Sequence, residues 1–371
     1  MAQMHKIAFY PVGNGDTCQV ILAIRAMIFH LGVLRHLAEN EALERISRVS
    51  TVSGGSLLLG LIFKECDYVW PNSHRFLSQV YPALRSQLCA KSLQWGAGRE
   101  LLRPCNLRYL LSRSNLLAKA LEHEWGVTAK LSCLPEAPEW SINGTTAETG
   151  KRFRFKRDSL GDYILGYSAP GDFPLADALA VSAAFPGGFG PLSFDATRFQ
   201  WKKRPAWGSP FESAADVEVG YRRLHLYDGG VYDNLGLEPF FDAGRRIPKP
   251  GVDFILVSDA GAPLKPGFPR FSINPWRLKR VTDITADQSR ALRVRGFMSY
   301  IEQNPDRGGY VYIGIPAEVA HRIDGAEPAG FQTTLRRVTE AQFDCIAGHG
   351  YAIASQSLAS ARISPLLKSV G

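Results

Sequence analysis

Apolar positions in this chain recur with two different periods, and the alternation between them sets the fold class. Ile28 to Leu37 repeats at three- and four-residue intervals, with Leu31, Leu34 and Leu37 on one side, which predicts a helix. Val49 to Val52 is a short β-branched run that predicts the end of a buried strand, and Leu57 to Phe63 is apolar all round, as a buried helix would be. From Lys64 to about Trp125 the pattern is mostly helical, with Arg and Lys interspersed. Trp140 to Gly144 and Lys151 to Phe155 predict a hairpin with "TAETG" as its turn. Arg222 to Tyr227 and Val252 to Ser258 predict further buried strands, each running into an aspartate, Asp228 and Asp259, and a helix is expected to start near Leu237. Strand and helix patterns that alternate in this way, without an internal repeat or a low-complexity linker, predict an α/β protein.

Composition narrows this picture. A chain of 371 residues at 45% hydrophobic content suffices for one large α/β core. The six cysteines, at 18, 66, 89, 105, 133 and 345, form no C-x-x-C pair and no Cys/His cluster, which argues against a zinc site and a disulfide framework and for a reducing compartment. No apolar segment reaches the roughly 18 to 20 residues of a membrane span, and the N-terminus lacks the basic-then-apolar plan of a secretory signal. The expectation is a cytoplasmic protein. Asn143-Gly144-Thr145 matches a glycosylation sequon and is read as chance.

The formal net charge of +8 calls for an anionic partner, and its distribution says where to look. "KRFRFKR" (151–157) would, on a strand, put Phe153 and Phe155 on one face and Arg152, Arg154 and Lys156 on the other. "WKKRPAW" (201–207) and "WRLKR" (276–280) join tryptophans to cations, as a peripheral contact with an anionic membrane surface would, although each is equally a solvated face or basic loop. No nucleic-acid-binding module is recognisable, and no nucleic-acid partner is expected.

Candidate chemistry centres on two corners. "STVSGGS" puts Ser53 between a strand and a helix, with Gly54 and Gly55 small enough for the two to approach, which is the setting of a nucleophile elbow. The G-x-S-x-G pattern would have glycine two residues before the serine, and this chain has Thr51. A Ser/Gly turn with Ser53 or Ser56 capping the next helix is the alternative. In "LHLYDGGVYDNLG" a strand delivers Asp228 onto a Gly229-Gly230 turn, and a carboxylate fixed at one strand end can take the proton of a serine fixed at another. An Asx turn at Asp228-Gly229 is the alternative reading. Asp233 and Asp259 are the competing carboxylates, each read as holding a loop or a cap, and His30 and His225 are read as packed structural histidines.

These motifs resemble the patatin-like phospholipases, acyl hydrolases that use a Ser-Asp dyad on an α/β sheet. "STVSGGS", "SAAFPGGFGP" (Ser182 to Pro191, fitting S-x-A-x-P-x-x-F-x-P) and "DGGVYDNLG" occur in the family's order, with "FHLGVLRHL" as its first helix and "INGTTAETGKRFRF" as its hairpin. The resemblance implies a three-layer α/β/α fold with a mostly parallel central sheet and a cap-like helical insertion. It implies Ser53 as nucleophile and Asp228 as base, acting on a phospholipid or other acyl-ester lipid without metal or cofactor. The oxyanion and substrate pocket would draw on Gly54, Gly55, Arg25, Ala26, Gly229, Gly230 and Pro186.

The N-terminus departs from that pattern. The family's G-G-G-x-R-G loop keeps only Arg25 and Ala26 at its last two positions, with Ile21, Leu22 and Ala23 in place of the glycines, and side chains there oppose the positive φ such loops need. "MHKIAFYPVGNGDTCQVILA" instead resembles the opening of metallo-β-lactamase-like hydrolases, without their H-x-H-x-D-H motif, so Gly13 to Asp16 reads as a hairpin turn. The expected organisation is an atypical strand-turn-strand segment over 1–23, joined near Ala23-Ile24 to a single domain over 24–371 with its helical insertion at 64–135. Two functions follow: a lipid acyl hydrolase, cytoplasmic and peripheral at the membrane, or a catalytically impaired relative that binds lipid or protein through the same pocket.

Overall fold

The computed structural model describes residues 5–10, 24–109, 113–186, 190–206, 209–261, 263–264, 266–268, 275–316 and 337–360. Its sheet strands are β1 (His5–Tyr10), β2 (Ile46–Thr51), β3 (Glu139–Thr146), β4 (Arg152–Phe155), β5 (Leu160–Asp162), β6 (Gly166–Ser168), β7 (Leu192–Asp195), β8 (Lys202–Lys203), β9 (Ala215–Asp216) and β10 (Arg223–Asp228). A small ribbon of β11 (Phe241–Asp242) and β12 (Ile247–Pro248) precedes β13 (Ile255–Asp259) and β14 (Gly308–Tyr312). The helices are α1 (Ile24–Glu39), α2 (Gly54–Glu65), α3 (Ser73–Arg75), α4 (Tyr81–Ala90), α5 (Leu93–Leu101), α6 (Arg113–His123), α7 (Leu175–Ser182), α8 (Gly230–Asp233), α9 (Pro275–Gln303) and α10 (Glu340–Ser360).

The chain is α/β, with one large sheet, but that sheet is not mostly parallel. Only β14-β13-β1-β2-β3 pair in parallel. Beyond β3 every pairing is antiparallel, through β4, β5, β6, β8 and β9 on one side and through β10 and β7 on the other. The reason is connectivity: the strands from β3 to β6 follow one another through short turns, and a short turn can only join antiparallel neighbours. Helical crossovers, which parallel pairing requires, occur around β1, β2, β3 and β13.

Strand β13 of the parallel half is buried along its whole length because helices cover both of its faces. Leu256 of β13 joins the core beneath α1, α2 and α10, whereas Ile255 and Val257 join a second core with Phe297 and Tyr300 of α9. Strand β1 lies between β13 and β2, third from the β14 edge of the sheet. Helix α1 is buried on almost every side, and α10 crosses it at very close range: a Cβ on Gly32 would lie 2.0 Å from the Ala347 carbonyl oxygen, and one on Gly350 would lie 2.2 Å from that of Phe29. The stretch after α2 is helical through α3 to α6. One local expectation fails: no helix starts at Leu237, and the short α8 comes earlier, followed by turns.

Candidate active site

Strands β2 and β10 lie end to end along one edge of β3, and this arrangement sets the site. Parallel pairing carries β2 up to Thr51, opposite Ile142. Antiparallel pairing carries β10 from the other direction up to Asp228, opposite Gly144. The two carboxyl-terminal strand ends therefore meet at Asn143, one delivering Ser53 and the other Asp228.

Ser53 forms the corner between β2 and α2 with φ 52° and ψ −123°, a conformation that costs a non-glycine residue on the order of 1–3 kcal/mol. Neighbouring groups hold it there. Its backbone N–H donates to the Ser182 carbonyl at 2.9 Å and lies 3.0 Å from Ser182 Oγ. Ser182 Oγ bonds Ser56 Oγ at 2.8 Å, which bonds Thr51 Oγ1 at 2.7 Å, and Trp140 Nε1 donates to that same hydroxyl at 2.8 Å. Thr51, the residue that breaks the glycine pattern, is thus fully buried and part of a continuous hydroxyl chain beneath the corner.

Asp228 is held as closely. Its backbone N–H donates to the Ala184 carbonyl at 3.0 Å, and its own carbonyl accepts from Thr145 Oγ1 at 2.8 Å. Asp228 Oδ1 accepts from Gly230 N–H at 2.7 Å. Gly229 passes so near β3 that a Cβ on it would lie 2.5 Å from the Asn143 carbonyl oxygen, so no larger residue fits that turn. "SAAFP" is therefore a clamp: Ser182 grips the backbone of Ser53, and Ala184, two residues on, grips that of Asp228.

Burial dominates the electrostatics of the Asp228 carboxyl. Ser53 and Asp228 are each 1% exposed. Burial pushes the Asp228 carboxyl up to about 8, against the pull of the Gly230 N–H and of the Ser53 hydroxyl. The hydroxyl is near enough to exert that pull but its hydrogen bond is not well formed, since Ser53 Oγ and Asp228 Oδ2 both lack a partner of good geometry among the described residues. Both atoms are thus buried without a well-formed hydrogen bond, a costly state for polar groups. The Gly54 N–H, at the first position of α2, also has no acceptor among the described residues.

The remaining candidates divide. Gly55 and Gly230 sit with the two corners, while Arg25, in the first turn of α1, is spent elsewhere: it is buried, donates from Nη2 to the Ala260 carbonyl at 3.1 Å, and has its pKa pulled down to about 10 by burial. Ala26 is buried beside it. Pro186 continues the clamp, two residues past Ala184. Gly13 to Asp16, Ile21 to Ala23 and 187–189 lie outside the described residues. Asp233 takes the Leu235 and Glu238 N–H groups and pairs with Arg293, and Asp259 takes the Gly261 N–H and pairs with Arg290 at 2.6 Å. Both carboxylates hold loops. His30 is buried against Ser258, whereas His225 is partly exposed and paired with Glu148 at 2.6 Å. Among the described residues no three His, Cys, Asp or Glu side chains gather into a metal-binding group.

Asn143 is the residue that sequence reasoning missed. It is 1% exposed, so it is no glycan acceptor. Its Nδ2 donates to the Thr51 carbonyl at 2.8 Å and to Ser50 Oγ at 2.9 Å, and Ser50 in turn donates to the Gly236 carbonyl at 2.7 Å. It therefore ties the serine corner to β3. An asparagine, a residue type depleted in strands, inside a run that predicts a strand was the available signal.

Comparison with known proteins identifies the family. The family model for patatin-like phospholipase matches residues 23–241, more than half of the chain, and the chain belongs to that family. No curated protein matches it. Among solved structures, human GIVD cytosolic phospholipase A2 is similar at a TM-score of 0.51 and 14% identity, covering 98% of this chain and 61% of that one. The same protein in complex with methyl gamma-linolenyl fluorophosphonate gives a TM-score of 0.52 at 15% identity, covering 98% and 59%. At such identities the likeness shows the fold alone, and the chain spans about three fifths of the length of those structures.

Proposed function

We propose that the protein is a serine acyl hydrolase that cleaves fatty-acyl esters of phospholipids with Ser53 as nucleophile and Asp228 as base. The observation that carries the reading is the meeting of two buried, uncommitted atoms, Ser53 Oγ and Asp228 Oδ2, at the ends of two strands that converge on Asn143. Asp228 takes the proton as Ser53 Oγ attacks the acyl carbonyl, and the Gly54 N–H, aided by the α2 dipole, holds the oxyanion. The carboxyl then returns the proton to the departing lysolipid oxygen, which leaves an acyl ester on Ser53. Water, activated by Asp228, attacks that ester and releases the fatty acid.

The enzyme acts at a membrane surface on this reading. No helix among the described residues is long and apolar enough to span a bilayer, but Phe268, Val281 and Ile284 are exposed at 63%, 57% and 41%, and Arg277 lies 4.8 Å over the Phe268 ring. Apolar side chains flanked by cations suit an anionic bilayer. The test is fatty-acid release from mixed phospholipid vesicles by the wild-type chain beside Ser53→Ala and Asp228→Ala. Release lost in both variants supports the dyad. Vesicle binding without release by a folded wild-type chain would favour the impaired binding protein that Ile21 to Ala23 suggest.

A further inference from the structure

The two basic stretches at 151–157 and 201–207 have no part in the acyl chemistry, yet the sheet brings them together. The registers of β3, β4, β5, β6 and β8 place Asn143, Arg154, Gly161, Tyr167 and Lys202 in one row across the sheet, on one face. Arg152 is on that face too, opposite Thr145, while Phe153 and Phe155 pack into the core on the other. Gly161 leaves the row open, and the Arg154 guanidinium reaches across to lie 4.0 Å over the Tyr167 ring.

The charges on this face do not balance. Arg154 Nε is buried with no acceptor among the described residues. Arg152 has one hydrogen bond, from Nη1 to Asn143 Oδ1 at 3.2 Å, and no carboxylate partner among those residues. Lys249 is near enough for both guanidinium charges to weigh on its own ionisation, and burial pulls the pKa values of Lys249 and Arg152 down. The nearby acids are Glu238, which pairs with Lys249 at 3.8 Å, and Asp233, which pairs with Arg293 at 3.4 Å. Neither guanidinium thus forms an ion pair among the described residues, and Glu238 and Asp233, which act on Arg152 from farther off, are each paired with another cation. Unpaired charge held out of water is costly, and a bound anion is what removes the cost.

We propose that Arg152 and Arg154, with Lys249 beside them and Lys202 at the rim, form a binding site for a phosphate group, carried either by a soluble phosphate or by a lipid headgroup. Guanidinium groups suit that ligand because their planar fork matches two phosphate oxygens at once. Arg152 is joined through Asn143 to the strand that carries Ser53, but phosphate binding here does not depend on the activity of the Ser53–Asp228 pair.

The test is calorimetric titration of the full chain with inorganic phosphate, at constant ionic strength in chloride, beside co-sedimentation with vesicles of phosphatidylcholine alone or with phosphatidic acid. Arg154→Gln and Lys202→Gln serve as variants, and their unfolding midpoints in chloride show whether they remain folded. Binding of phosphate, of phosphatidic acid vesicles, or of both, weakened at least tenfold in Arg154→Gln and less in Lys202→Gln, supports the site. Phosphate binding alone identifies a soluble ligand, and vesicle binding alone identifies a lipid headgroup. Should Arg154→Gln misfold, the rim variant's weakened binding carries the test. A wild-type chain that binds neither, or binding unchanged in folded Arg154→Gln, would overturn the proposal.

Discussion

Replacing Asp228 by asparagine removes the protonation linkage of a fully buried carboxyl and little else. Asparagine keeps the shape and can still accept the Gly230 N–H that Asp228 Oδ1 accepts at 2.7 Å. In the folded protein the carboxyl holds its proton up to about pH 8, because burial disfavours the anion. In the unfolded chain it releases the proton near its ordinary value of 3.8. Between those limits the folded state binds the extra proton, so raising the pH favours unfolding, at about 1.4 kcal/mol per pH unit. The variant carries no such proton. Its stability relative to wild type should therefore climb by about 2.7 kcal/mol between pH 5 and pH 7 and level off above the folded pKa. Urea unfolding of both proteins at pH 5, 6, 7 and 9 measures this, and every other titrating group cancels in the difference. Parallel stability curves over pH 5 to 7 would refute the reasoning, because they would mean that Asp228 is already ionised when folded.

With Asp228 as the proposed base, which must be deprotonated to act, the pH profile of kcat/KM for ester hydrolysis should rise through an apparent pKa near 8 to a plateau. A profile already flat at pH 6 would contradict it. Ser53→Gly should be more stable than Ser53→Ala by about 1 kcal/mol in urea unfolding, since only glycine accepts φ 52° freely. Equal stability would mean that the corner is unstrained. Asn143→Ala should destabilise the protein by about 2 kcal/mol and depress hydrolysis, because it strips bonds from Thr51 and Ser50 on the serine side of the site.

The parts of the fold written in local pattern were readable from the chain. The runs around Ser53 and Asp228 predicted strands ending at a corner, and the alternation in "KRFRF" became β4 with its phenylalanines in the core. Strand direction was not readable, because it depends on how strands are connected and stacked; the family resemblance pointed to a mostly parallel sheet, while the short turns after β3 made half of it antiparallel. The helix expected at Leu237 failed for a related reason: Asp233 uses its carboxylate to gather the Leu235 and Glu238 N–H groups into a loop. Asn143 matters through partners 92 and 93 residues away in sequence, a distance over which no local pattern carries information.

The central claim is that Ser53 and Asp228 act as one chemical unit. Its most direct test is labelling of the purified chain with a fluorophosphonate, with the modified residue located by peptide mass spectrometry. The account predicts a single adduct on Ser53, abolished in Ser53→Ala and slowed by orders of magnitude in Asp228→Asn while that variant remains folded. An adduct on another residue, or Ser53 labelled at the wild-type rate without the Asp228 carboxylate, would contradict it.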